Sequence, residues 1–324
     1  MEWILNLVYA AVGVAGLYYG AEFLVKGGVD LARKAGVSQL VIGLTLVAFA
    51  TSAPELVVSA SAALDGNPNI SLGNVVGSNI CNILLILGLS AVIAPLTVHR
   101  QLLKLDAPVM VISSILLAVF YFTNGGVNRI QALLFLAGLI VYTCYLIHSS
   151  RKENAAKAEE SSAAADAPAE EKKLLPVWLA ALLVILGIAF LVIGAKVFLI
   201  SAVFAARKLQ VSDAVIGLTV VAVGTSLPEL ATSVVAAFKG EQDIAIGNVI
   251  GSNIFNVLCI LGIAPLISPL CGAELQPVDL ITMLVASLLL IPMMLTRSVL
   301  SRLEGGILLS IYVVYIGYLV VQNS

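Results

Sequence analysis

Charge is scarce in this chain. Of 324 residues, 17 are Lys or Arg and 19 are Asp or Glu, 11% in all, while 60% are hydrophobic. With a mean hydropathy of +1.07, that composition excludes an ordinary soluble domain. Histidine is rarer still: His99 and His148 both fall near expected helix ends and read as loop residues. The four cysteines, Cys81, Cys144, Cys259 and Cys271, form no CxxC pair and have no zinc-ligand spacing, so buried apolar thiols are expected. Ten-residue segments of alternating hydropathy are absent, which sets aside a membrane β-barrel. There is no G-x-x-x-x-G-K-[ST] phosphate loop, hence no sign of an ATP-driven machine. The N-terminal run lacks a basic leader and a small-residue cleavage site, and reads as a retained helix. A net charge of −2 says nothing about partners, and no nucleic-acid partner is expected.

What the chain has instead is long apolar runs. About 20 such residues cross ~30 Å of hydrocarbon as a helix. Ten runs qualify, near 4–25, 38–64, 70–94, 107–123, 129–148, 175–197, 211–238, 244–267, 278–296 and 303–321. The expected fold is an all-α polytopic protein of the cell (inner) membrane, and not an enzyme. Residues 149–174, rich in Ala, Glu, Lys and Ser without apolar periodicity, read as a flexible linker between halves 1–148 and 175–324. Counting Lys and Arg orients the chain. With the N-terminus outside, thirteen of the 17 fall on the inner side, from Lys26, Arg33 and Lys34 through the linker to Lys239, Arg297 and Arg302. Four, Arg129, Lys196, Arg207 and Lys208, fall outside. Both termini are therefore expected outside and the linker in the cytoplasm.

The two halves repeat each other. Residues 41–96 lie over residues 215–270 without gaps, and 32 of 56 positions are identical. The identities fall on Gly, Thr, Ser, Pro, Glu and Asn, which membrane composition alone does not supply. Five crossings per copy is an odd number, so the second copy enters from the opposite side. Two inverted five-helix repeats, with broken helices at the midplane, are a recurring plan of secondary transporters.

The first copy of the repeat reads LTLVAFATSAPELVVSASAAL over 44–64, a membrane span with Glu55 in its middle. A carboxylate at that depth costs about 2.5–3.5 kcal/mol on insertion scales. Pro54 and Pro228 each remove a helix hydrogen bond beside a glutamate, Glu55 and Glu229. Thr51 and Thr225 stand four residues earlier, on the same helix face as those acids. Irregular backbone at this depth is tolerated only when buried in protein or lining a cavity. Two carboxylates with several neutral oxygens suit a hard cation, and calcium takes 6–8 oxygens at about 2.3–2.6 Å. Without His or Cys beside them, zinc and copper do not fit. A second repeated motif, GNVVGSNICN at 73–82 and GNVIGSNIFN at 247–256, spaces Ser78 from Asn82, and Ser252 from Asn256, by one helical turn. Gly73 and Gly77 permit close helix approach or a local break. The plainer readings are packing glycines and a buried helix-to-helix bond. Glu22, whose counterpart is Lys196, reads as an i,i+4 partner of Lys26. Asp106 and Asp279 read as first-turn acids complementing helix dipoles.

ATSAPE at 50–55, GTSLPE at 224–229, GSNICN at 77–82 and GSNIFN at 251–256 closely resemble the paired α-repeats of the cation/calcium exchanger superfamily, specifically the prokaryotic sodium/calcium exchangers. The resemblance covers both repeats and the ten-helix plan. It implies an antiporter in which sodium entry drives calcium across the membrane by alternating access, with no cofactor and no required oligomer. Glu55 and Glu229 would be the shared calcium ligands, completed by the carbonyls of Thr51 and Thr225. Ser52, Ser226, Ser78 and Ser252 would line flanking sodium sites with the carbonyls of Ala48 and Ala222, and Asn82 and Asn256 would sit at the centre. The pattern departs twice. Ala50 stands where the second copy has Gly224, and Asn256 stands where some exchangers carry Asp. A calcium/proton antiporter is the alternative, although glycine follows at Gly77 and Gly251 where proton-coupled relatives typically carry an acid. A cation channel using the same glutamates is a second alternative, and a non-transporting membrane scaffold a third.

Overall fold

The computed structural model describes residues 2–163, 174–209, 222–271, 275–295 and 298–322. Twelve helices order these residues: α1 Glu2–Ala35, α2 Gln39–Thr51, α3 Ala53–Leu64, α4 Pro68–Ile93, α5 Leu102–Asn124, α6 Arg129–Ala163, α7 Val177–Lys208, α8 Ala222–Thr225, α9 Leu227–Phe238, α10 Gln242–Ile267, α11 Pro277–Leu295 and α12 Arg302–Gln322. Eight are long and apolar enough to cross a membrane alone. A ninth crossing is α2 with α3, bent by 47° where Ser52 leaves the helix and Pro54 enters the next one. The first part of the run expected at 211–238 lies outside the described residues, as do Lys172, Lys173 and Arg297.

Helix ends depart from the apolar runs for a simple reason: hydropathy marks the hydrocarbon layer, not the hydrogen-bonded helix. α1 continues past residue 25 to Ala35, and α7 past 197 to Lys208, each closing on basic residues. α6 continues through Ala163, into the segment read as a linker, because Ala, Glu and Lys are strong helix formers. His148 consequently lies inside α6 and not in a loop. Of the thiols, Cys81 and Cys259 are buried as expected. Cys144, on the outward side of α6, and Cys271, in a strand, are exposed.

α1 and α7 lie antiparallel along their length. Glu2 Oε2 meets Lys208 Nζ at 2.9 Å, and the Asn6 amide donates to the Ser201 carbonyl at 3.3 Å. Between those ends the backbones touch at glycines. A Cβ on Gly20 would fall 2.7 Å from the Leu191 nitrogen, and one on Gly187 2.7 Å from the Leu24 nitrogen. Lipid gives apolar side chains no reason to associate, so membrane helices gain contact energy by close van der Waals approach at such small residues. Their outer sides carry exposed Ile4, Leu7, Val8, Val12, Ile185 and Ile193, a surface suited to hydrocarbon and not to water. α4 and α10, the helices that carry the repeated GSN motif, are the most buried spans.

Two short antiparallel strand pairs tie the halves together. β1 (Leu96–Thr97) pairs with β4 (Val299–Leu300), and β2 (Gly126–Val127) with β3 (Leu270–Cys271). The β1/β4 end also joins His99 to Asp243 at 2.8 Å and Thr97 to Gln242 at 2.7 Å. The β2/β3 end holds the Tyr121 hydroxyl against the Leu275 carbonyl at 3.1 Å.

Three acids outside the repeated motif take partners that spacing did not anticipate. Glu22 passes over Lys26 and meets Lys239 Nζ, at the end of α9, at 2.6 Å. Asp106 is fully buried, accepting from the Tyr142 hydroxyl at 2.9 Å and from the Gln101 amide at 3.3 Å. Asp279 does stand in the first turn of α11, but accepts from the Tyr315 hydroxyl at 2.8 Å. Each is a tertiary pairing, invisible to i,i+4 reasoning.

Candidate functional site

The two broken helices meet at their breaks. Ser52 and Ser226 occupy the non-helical junctions α2/α3 and α8/α9, with Pro54 and Pro228 one residue inside the following helices. That placement puts Glu55 and Glu229 in the first turns of α3 and α9, both with no solvent exposure. Each serine reaches the other half. The Ser52 hydroxyl donates to Glu229 Oε1 at 2.8 Å, and the Ser226 hydroxyl to Glu55 Oε1 at 3.1 Å. The two bonds are related by the 174-residue offset of the sequence repeat. The carboxylates therefore belong to one buried cluster and do not face lipid separately.

The second motif closes in from α4 and α10. Ser78 Oγ lies 3.4 Å from Ser226 Oγ, and the Asn256 amide donates to Asn79 Oδ1 at 3.0 Å. Asn82 and Asn256 lie in stretches of wide π-helical turns, Cys81–Leu87 and Asn256–Ile260. Such turns are frequent at functional sites because they leave backbone and side chains out of the regular ladder. Thr51 is buried, its hydroxyl bonded to Asn248 Oδ1 at 3.0 Å and to the Ala48 carbonyl at 3.3 Å. The Ala48 carbonyl also accepts from the Ser52 amide at 3.0 Å. Ala222 opens the short helix that ends at Thr225, and the residues before it are not described.

Polar atoms left over define what the cluster can hold. Glu55 Oε2, Glu229 Oε2, Asn82 Oδ1, Asn256 Oδ1 and Ser252 Oγ are buried with no hydrogen-bond partner. Buried acceptors normally have partners, and each exception calls for an explanation. These five of the eleven such atoms among the described residues are oxygens on residues expected as ligands, two of them carboxyl oxygens; the others are Asn82 Nδ2, the Asn253 amide atoms and the hydroxyls of Ser71, Ser90 and Thr232. No group of three His, Cys, Asp or Glu is found among the described residues, so the donor set is two carboxylates and neutral oxygens. That set suits a hard cation of the calcium or sodium type.

The pattern of second contacts was not read from the sequence. The Asn74 amide donates to the Glu55 carbonyl at 3.1 Å and to Ser59 Oγ at 2.9 Å. The Asn248 amide donates to the Glu229 carbonyl at 3.3 Å and to Ser233 Oγ at 2.9 Å. These bonds pin the first turns that carry the acids. The signal was available, since Ser59, Asn74 and Asn79 are each identical to the residue 174 positions later.

A cavity of about 450 Å³ reaches the cluster past Ser78 and Thr225, and is lined also by Gly73, Gly77, Asp279 and Tyr315. A second, of about 240 Å³, is lined by Gly251, Ile254 and Phe255. A Cβ added at Gly251 would fall 2.6 Å from the Leu44 carbonyl oxygen.

A multi-pass helical membrane protein with paired acids buried at helix breaks is the class that fold and geometry define. The model of the family described as "Sodium/calcium exchanger protein" matches residues 5–148 and again 179–321. The sodium/calcium exchanger MaX1 of Methanosarcina acetivorans is 36% identical, over 96% of this chain and 97% of that protein. The inner membrane protein YrbG of Escherichia coli is 34% identical, over 92% and 91%. A solved structure of the sodium-calcium exchanger NCX_Mj, soaked with zero Na+ and Ca2+, superposes with a TM-score of 0.81 at 35% identity, covering 98% of this chain and 99% of that one. The chain belongs to the sodium/calcium exchanger family, a family of transporters and not of enzymes.

Proposed function

We propose that this protein is a secondary antiporter that exchanges sodium for calcium across a cell membrane, both ions using the cluster around Glu55 and Glu229. One observation carries the reading. Two carboxyl oxygens, on acids joined to one cluster by serines, and three neutral oxygens are buried without partners and come from both halves of the chain. A cation between the two acids offsets a burial that otherwise costs about 2.5–3.5 kcal/mol for each. The proposed ligands are Glu55, Glu229, Asn82, Asn256 and the carbonyls of Thr51 and Thr225. Ser52, Ser226, Ser78 and Ser252, with the carbonyls of Ala48 and Ala222, would serve sodium. Sodium and calcium then compete, because neither empty ionised acids nor both loads together are favourable in a dry site.

The cavity past Ser78 and Thr225 leads to the cluster, as expected if ten helices form two inverted repeats working by alternating access, of which one side is open at a time. In that plan residues 149–174 connect the repeats on the cytoplasmic side and both termini lie outside. Arg33, Arg100, Arg151, Lys239 and Arg302 flank the segments gathered at the β1/β4 end, which supports that end as the inner one. Sodium coupling is favoured over proton coupling by Gly77 and Gly251, which put no acid after the Gly-Asn pair.

The test is calcium uptake by proteoliposomes with sodium, potassium and proton gradients imposed one at a time. Uptake is expected only against an opposing sodium gradient. Uptake of equal size under a proton gradient without sodium would make it a calcium/proton antiporter, and flux independent of any counter-ion a channel.

A further inference from the structure

The repeat carries a swap of charge at two positions outside the cluster. Glu22 on α1 has Lys196 on α7 as its equivalent, and Asp65, just after α3, has Lys239, just after α9; both pairs are 174 apart. Within either half the two positions have like charge: Glu22 and Asp65 are both acids, Lys196 and Lys239 both bases. Between halves both combinations are of opposite charge, as pairing across the halves requires.

The structure contains one of the two cross-pairs. Glu22 Oε1 and Lys239 Nζ are 2.6 Å apart, with 31% and 36% of their side chains exposed. Lys196 and Asp65 are exposed and form no ion pair. The packing differs in the same sense. α1 lies along α9, while α7 makes no comparable contact with α3 among the described residues. The turns presenting Asp65 and Lys239 are nevertheless built alike. Gly66 and Gly240 adopt φ of +70° and +75°. Asn67 N bonds Ala62 O at 2.8 Å, and Glu241 N bonds Ala236 O at 2.9 Å. These matched left-handed caps hold both side chains at one helical station, so backbone geometry does not explain why only one pair is made.

We propose that Glu22–Lys239 and Lys196–Asp65 are two alternative latches, positioning residues that hold the zipped α1–α7 pair against one face of the site or the other. The inference rests on the alternating-access reading. With Glu22 on Lys239, α1 covers the approach beside α9, and the cavity past Ser78 and Thr225 stays open on the Asp65 side. Shift of the helix pair breaks that contact and brings Lys196 to Asp65. Because each latch is partly exposed and single, it is weak enough to break in every cycle.

Two double-cysteine variants test this in vesicles: Glu22→Cys with Lys239→Cys, and Lys196→Cys with Asp65→Cys. Both carry Cys144→Ser and Cys271→Ser, which remove the exposed native thiols. With a short bis-methanethiosulfonate cross-linker, which bonds both thiols through reducible disulfides, both pairs are expected to link, read by gel mobility after cleavage within residues 149–174. Ion conditions that raise one yield should lower the other, and either link should stop exchange until reduced. Failure of the Lys196/Asp65 pair to link in sodium, calcium or neither, while the other pair links, would overturn the proposal. So would unimpaired exchange after linking. Charge variants give an independent readout. Lys239→Gln should shift the ratio of half-saturating calcium between the two faces by up to about fivefold, and Glu22→Lys with Lys239→Glu should restore it. A lowered melting temperature with an unchanged ratio would mean a purely structural pair. If wild-type vesicles show no exchange at all, the antiport reading fails, and the linking pattern still scores the latches on its own.

Discussion

Glu55 and Glu229 each keep one carboxylate oxygen on a serine of the opposite half and leave the other without a partner. Replacing either by Gln retains shape and the serine bond but removes a charge that a divalent ion needs. Exchange should be abolished in Glu55→Gln and Glu229→Gln vesicles, with the protein still folded by gel filtration and circular dichroism. Asn74 and Asn248 act one step away, by fixing the backbone carbonyl of each glutamate. Ala at either position should weaken calcium binding by about 10–100-fold, the usual cost of losing an outer-shell partner, as measured by calorimetry. These residues were legible in principle, since identity at the 174-residue offset marks them. Their role was not, because a backbone carbonyl nineteen residues away is a tertiary partner. Asp106 and Glu22 show the same limit, for their partners, Tyr142 and Lys239, lie on other helices.

Among the elements, α10 packs its glycine motif directly on the backbone of α2. Gly251→Ala would drive a methyl into the Leu44 carbonyl at 2.6 Å, backbone that cannot step aside. A cost of about 1–3 kcal/mol is expected, the range for overpacking. Thermal denaturation of this variant beside the wild type in one detergent decides it, and equal melting temperatures would contradict that contact. Proline placement made the two helix breaks readable from the sequence. The wide turns after Ile80 and Phe255 carried no comparable sequence signal. They hold Asn82 and Asn256, and the Asn256 amide crosses to Asn79 of the other half.

At the scale of the whole molecule, ligation should appear as stability. A cation that binds only the folded site adds about 2.7 kcal/mol at one hundred times its dissociation constant. Calcium should therefore raise the melting temperature of the wild type and leave that of the Glu55→Gln, Glu229→Gln double variant unmoved, in a thermal-shift titration. The sequence by itself determined that the chain lives in a bilayer, that its middle crossings are broken at Pro54 and Pro228, and that its chemistry is duplicated. Each of those follows from hydropathy, from a missing amide hydrogen, or from identity at a fixed offset, all properties of the chain before it folds. Only packing settles which oxygens of the cluster stay unpaired and which of two complementary ion pairs is made. A repeat in sequence leaves its two copies interchangeable, and only packing the halves against each other, through contacts between residues far apart in the chain, can make them differ.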